Sequence, residues 1–243
     1  MPDTCDVVVL LSGTGSNLQA LIDSDDVKAS PATIRAVISN RADAYGLQRA
    51  KDAGIDTRVL DHKAFEGREA FDAALIQVID EFKPQLVVLA GFMRILSADF
   101  VRHYQGRLLY IHPSLLPKYK GLHTHQRALD EGVRIHGCTV HFVTPSLDHG
   151  PVIIQAAVPV IDGDDADHLA ARVLAQEHRV YPQAVRWFVD GKLQVQGGVG
   201  ACRLYSSRPN ALVWQTFTPA FDISPSASNP GCEPLSGELC VHD

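Results

Sequence analysis

Seven apolar runs punctuate this chain, and segments with helical spacing lie between them. The runs are VVVLL (7–11), IRAVIS (34–39), TRVLD (57–61), QLVVLAG (85–91), RLLYIH (107–112), CTVHFV (138–143) and PVIIQAAVPV (151–160). The first four are nearly unbroken, which predicts strands buried on both faces. NLQALID, AYGLQRAKDAG, EAFDAALIQVIDEF, ADFVRHY and THQRALDEG read as helices, as does the long DADHLAARVLAQEHRVYPQAVRWFVDG. Strand and helix in alternation predict an α/β fold, a Rossmann-like and mostly parallel sheet with helices on both faces. The last strands should pair partly antiparallel, because only the turn PSLDHG separates two of them.

The period fades after Lys192. SPSASNPGCEPLSGE is rich in Pro, Ser and Gly and reads as irregular or disordered. The expected organisation is a domain over 1–193 and a C-terminal extension over 194–243. At 243 residues the chain can bury a full core. A net charge of −6 argues against general nucleic-acid binding. The apolar start is too short to span a bilayer, and acid stands where a signal peptide is basic. The expectation is a cytoplasmic monomer or homodimer that handles small molecules, with no nucleic acid or membrane partner. Five cysteines without a C-x-x-C pair point to neither a zinc knuckle nor a disulfide framework.

Three segments carry the chemistry. In SGTGSNLQAL (12–21), Gly13 and Gly15 permit a tight turn, and Ser16 and Asn17 can cap the following helix. Its free N–H groups suit a single phosphate held by residues 15–17. A dinucleotide site fits less well, because Leu18 stands at the third glycine of G-x-G-x-x-G. A plain strand-to-helix turn is the bland alternative. In RLLYIHPSLLPKYKGLHTH (107–125), His112 ends a strand, and ligands of open parallel sheets sit at such ends. Tyr110 shares its face. In SLDHGPVI (146–153), Asp148 lies in a turn after a strand and is expected close to His112. A nearby carboxylate favours imidazolium, which can stabilise an oxyanion and manage a proton. Taken alone, Asp148 reads more readily as a solvated turn residue. His123 and His125, with His112 or His141, invite a metal reading. Lys118 and Lys120 beside them suit anions better, so no metal is expected. No nucleophile motif is evident, which points to direct transfer between two bound substrates.

VVLLSGTGSNLQALID, VISNRADAYGLQRAKDAGI, VVLAGFMRILS, IHPSLLPKYKGLHTH, HFVTPSLDHGPVI and AQEHRVYP together resemble phosphoribosylglycinamide formyltransferase. The likeness runs from about residue 5 to about residue 193. It implies 10-formyltetrahydrofolate as co-substrate and glycinamide ribonucleotide as acceptor, with no metal. It implies phosphate contacts from Gly15, Ser16 and Asn17, and a ribonucleotide contact from Glu177. It implies a folate site built from Arg68, Met93, Arg94, Ile95, Leu96, and the loop from Thr144 to Asp148. The implied catalytic trio is His112, Asp148 and an asparagine. At the asparagine position this chain has Tyr110. An oxyanion donor lost there costs about 10²–10³ in rate, so impaired transfer is expected. The alternatives are a non-catalytic nucleotide- or folate-binding member, or a formyltetrahydrofolate hydrolase.

Overall fold

A computed structural model describes residues 4–195 and 202–204. In chain order the elements are β1 (Cys5–Leu11), α1 (Ser16–Asp23), α2 (Asp25–Lys28), β2 (Ala32–Ser39), α3 (Tyr45–Asp52) and β3 (Asp56–Val59). Then come α4 (Arg68–Asp80), β4 (Leu86–Leu89), α5 (Ala98–His103), β5 (Leu108–His112), α6 (Thr124–Asp130) and β6 (Ile135–Phe142). The chain continues through β7 (Val152–Pro159), α7 (Ala166–Val189), β8 (Leu193–Val195) and β9 (Cys202–Leu204).

One sheet takes the order β3-β2-β1-β4-β5-β6-β7. Pairing is parallel from β3 through β5. The strand β6 runs antiparallel to both β5 and β7. The α/β expectation, with antiparallel pairing confined to the last strands, matches this architecture. A short antiparallel ribbon, β8 with β9, straddles the boundary expected at residue 193. The rest of the extension lies outside the described residues.

Period-two alternation divides the core. Val7, Val9 and Leu11 of β1 face α1, α3 and α7, while Val8 and Leu10 face α4 and α5. The same alternation places Leu109 and Ile111 against the α7 layer and Tyr110 against the α4–α5 layer. Helix α4 turns Phe71, Leu75 and Ile79 inward at helical spacing.

One expectation is corrected here. The run at 57–61 is not buried on both faces. β3 is the edge strand and is mostly exposed, because β2 alone pairs with it. Its apolar residues are too few to need a second cover, and Val59 stays 47% exposed.

Candidate active site

Strand order reverses at β1, whose neighbours are β2 and β4. The loops after β1 and β4 therefore leave their strands side by side and open a crevice. They are joined directly: the Met93 N–H donates to Ser12 Oγ at 2.8 Å, and Ser12 Oγ donates to Asn40 Oδ1 at 2.6 Å.

The turn after β1 ends at Gly15, which sits at φ 71° as the N-cap of α1. A Cβ there would lie 2.5 Å from the Gly46 Cα, so the turn needs glycine for both conformation and space. Ser16 and Asn17 do not cap α1, contrary to expectation. They are its first two residues, and no side chain caps it. Its first N–H groups are thus left for another acceptor. Asn17 instead donates from Nδ2 to Glu177 Oε2 at 2.8 Å. Burial pushes the Glu177 carboxyl up, and the Asn17 hydrogen bond opposes this. Arg49 braces the turn by donating to Thr14 O at 2.9 Å and to Gln19 Oε1 at 3.1 Å. Ser16, Arg49 and His178 line a cavity of about 680 Å³ beside it.

A second cavity, of about 550 Å³, lies at the ends of β4, β5 and β6. The sequence-derived residues Arg68, Met93, Arg94, Ile95, Leu96, Tyr110, His112, Thr144 and Asp148 all line it. Four apolar side chains in its wall stay exposed: Met93, Ile95, Leu122 and Leu147.

His112 and Asp148 are both buried, with Nδ1 and Oδ2 3.7 Å apart. The other ring nitrogen, Nε2, donates to Tyr119 O at 2.9 Å. A carbonyl can only accept, so this bond keeps a proton on Nε2. Nδ1, which has no hydrogen-bond partner, is where a second proton would face the carboxylate. The loop that presents Tyr119 O is held at several points. Thr139 Oγ1 donates to Ser114 O at 2.6 Å, and Tyr119 Oη donates to Glu131 Oε2 at 2.8 Å. Asp148 sits at φ 50°, a left-handed conformation that aspartate tolerates. Its Oδ2 accepts from Gly121 N at 2.9 Å.

His141, which the sequence suggests only as a metal ligand, lies opposite Tyr110 across the β5–β6 pair. Its Nδ1 donates to Phe142 O at 2.8 Å, and its Nε2 lies 3.9 Å from Asp148 Oδ1. Burial lowers its pKa, against the bond to Phe142 O and the charge of Asp148. His125, by contrast, turns away to His136, with Nδ1 and Nε2 3.2 Å apart. Among the described residues, no three His, Cys, Asp or Glu side chains gather as a metal-holding group.

Tyr110 packs between the two histidines. Its ring centroid is 6.0 Å from that of His112 and 5.7 Å from that of His141, edge-on to the latter. Burial pushes its phenol well up, and Asp148 and Glu177 add to this, so the hydroxyl keeps its proton. The alternation that aligns Tyr110 with His112 was visible in the sequence. Arg49, Gly121 and Leu122 were not singled out there, because nothing local marks a residue that a distant loop brings to a cavity.

Residues 5–185 match the formyl transferase family. The phosphoribosylglycinamide formyltransferase of Escherichia coli (strain K12) is 59% identical over 189 residues, covering 78% of this chain and 89% of that protein. The chain belongs to the phosphoribosylglycinamide formyltransferase family. A glycinamide ribonucleotide transformylase of Symbiobacterium toebii superposes with a TM-score of 0.81 at 45% identity, covering 85% of this chain and 96% of its own. The Coxiella burnetii phosphoribosylglycinamide formyltransferase gives 0.76 at 49%, covering 83% and 93%. In this chain the turn after β1 and the cavity at the ends of β4, β5 and β6 are linked through Ser12, whose Oγ accepts from the Met93 N–H.

Proposed function

We propose that the chain transfers a formyl group from 10-formyltetrahydrofolate to the primary amine of glycinamide ribonucleotide in purine synthesis, and that Tyr110 makes the transfer slow. The observation that carries this reading is the buried His112–Asp148 pair in the wall of the 550 Å³ cavity. That volume suits a pterin and its neighbouring ring, and the exposed Met93, Ile95, Leu122 and Leu147 offer apolar contact to flat rings. The open N–H groups of α1 suit the ribonucleotide phosphate. Glu177, oriented by Asn17, suits the body of the same substrate.

The folate co-substrate supplies an electrophilic formyl carbon. His112, with Nε2 held by Tyr119 O, would donate from Nδ1 to the oxygen that becomes negative as the amine adds. Asp148 would stabilise the imidazolium and accept a proton on its way from the amine to the leaving nitrogen. No covalent enzyme intermediate is required.

Asparagine at position 110 would give a second donor close to the strand. The tyrosine hydroxyl lies several ångströms further out, and its ring fills that space instead. The missing donor alone costs about 10²–10³ in rate. The ring packed on both histidines also favours a second reading, a member that binds its ligands without turning them over. A paired assay of the chain and its Tyr110→Asn variant with both substrates separates the two. We expect the variant to transfer formyl about 10²–10³ faster. Equal rates would refute the account of Tyr110. Folate binding without turnover by either protein would favour the second reading.

A further inference from the structure

Residues 92–97, FMRILS, form the loop between β4 and α5, and it is tied down at both ends from outside. At the first end, Ser12 Oγ accepts from the Met93 N–H at 2.8 Å. At the second, Asp72 Oδ2 accepts from the Ser97 N–H at 2.5 Å. Asp72 comes from the inward face of α4, between Phe71 and Leu75, and is only 1% exposed. A carboxylate buried on that face costs free energy unless it is hydrogen-bonded or paired. Only one of its oxygens is used by the protein, and Oδ1 has no hydrogen-bond partner.

Asp72 also stands near two arginines of the cavity wall. Burial pushes its carboxyl up, while the Ser97 bonds and the charges of Arg68 and Arg94 pull it down. Both arginines line the 550 Å³ cavity. The Arg94 guanidinium sits over the Phe71 ring, 5.8 Å from its centroid, and its buried Nε has no partner. Between the two tethers the loop turns Met93 and Ile95 outward, 65% and 63% exposed. Phe92 and Leu96 pack against the α4–α5 core, and the exposed stretch between them is held by the two tethers.

We propose that Asp72 is a positioning residue for the folate co-substrate, holding the 92–97 loop in its binding conformation through the Ser97 N–H. The proposal rests on the folate reading of this cavity. It touches no reacting atom, and it leaves the turn after β1 unaltered.

The test uses the full chain and the variants Asp72→Leu, Asp72→Ala and Asp72→Asn. Leucine fills the space of aspartate without an acceptor, alanine deletes the group, and asparagine keeps a carbonyl oxygen for Ser97. Calorimetric titration measures binding of tetrahydrofolate and, separately, of glycinamide ribonucleotide. Hydrogen exchange at the amides of 93–97 is measured without ligand. Loss of a hydrogen bond to a charged group predicts at least tenfold weaker tetrahydrofolate binding in the Leu and Ala variants. Ribonucleotide affinity should stay within about twofold, the loop amides should exchange faster, and Asn should restore most of both losses. Equal weakening toward both ligands would assign Asp72 a merely structural role and overturn the proposal. Unchanged loop exchange in the Leu and Ala variants would also overturn it. If the unaltered chain binds no tetrahydrofolate, the folate reading falls, and the exchange data still decide whether Asp72 holds the loop.

Discussion

Tyr110 and Gly15 stand at opposite ends of the range of tolerance a single position can have. Tyr110 is accommodated without strain, since β5 leaves room for its ring between His112 and His141, and its effect falls on chemistry. Gly15 has no such latitude. At φ 71°, with the Gly46 backbone 2.5 Å from any added Cβ, Gly15→Ala must shift the turn away from α3. We expect a loss of about 1–3 kcal/mol in stability. We also expect weaker ribonucleotide binding with tetrahydrofolate binding preserved, which titration with each ligand would show. A variant that binds both ligands normally would remove the turn from the phosphate site.

At the scale of elements, α7 does more than cover the sheet. Tyr181, fully buried on its inner face, donates from its hydroxyl toward Leu89 O at 2.9 Å and Leu109 O at 3.2 Å. These carbonyls belong to β4 and β5, the strands whose ends carry the cavity. One helix thus fastens both, and its Glu177 one turn earlier reaches Asn17. Tyr181→Phe keeps the ring and leaves the two carbonyls without this donor. The expected cost is about 1–3 kcal/mol, read as a lower urea midpoint. An unchanged midpoint would show that the strands hold their ends without α7. The element pattern was legible in the apolar runs and their spacing, down to the antiparallel turn of the last strands. The edge position of β3 was not, because a four-residue run looks alike whether one neighbour pairs with it or two. Asp72 left a faint local trace, an acid on the apolar stripe of EAFDAALIQVIDEF. Its partner Ser97 lies 25 residues away, so nothing nearby explained it.

Over the whole molecule, buried histidines make stability depend on pH. Burial holds the His136 pKa down to about 4, and the charges of His125 and His112 add to this against a backbone bond at Pro113. The ring is fully buried beside Tyr119 and His125. Unfolded, it would titrate near 6.5. Above that pH both states are neutral, and the folded chain carries no penalty. As pH falls from 6.5 toward 4, the unfolded chain gains the proton first, and folding loses about 3 kcal/mol from this group. Urea unfolding at pH 7.5 and pH 5 should show the loss. His136→Gln, which cannot titrate, should show a smaller one. Equal losses in the two proteins would move the effect to other groups.

The chain's order of apolar runs decided the sheet, because strands buried on two faces can be written in few other ways. The glycine turn, the strand ending at His112 and the turn at Asp148 were marked by local chemistry, and so was Tyr110 by its spacing from His112. Which groups meet around those residues was decided by tertiary structure. Tyr119 supplies a carbonyl that fixes the His112 tautomer, His141 approaches Asp148 across β6, and Asp72 reaches Ser97 from another helix. The first two contacts join residues seven positions apart across folded loops, and the third joins residues 25 apart. Their energies depend on distance in space, and a linear sequence carries that distance only once the sheet has brought the strand ends together.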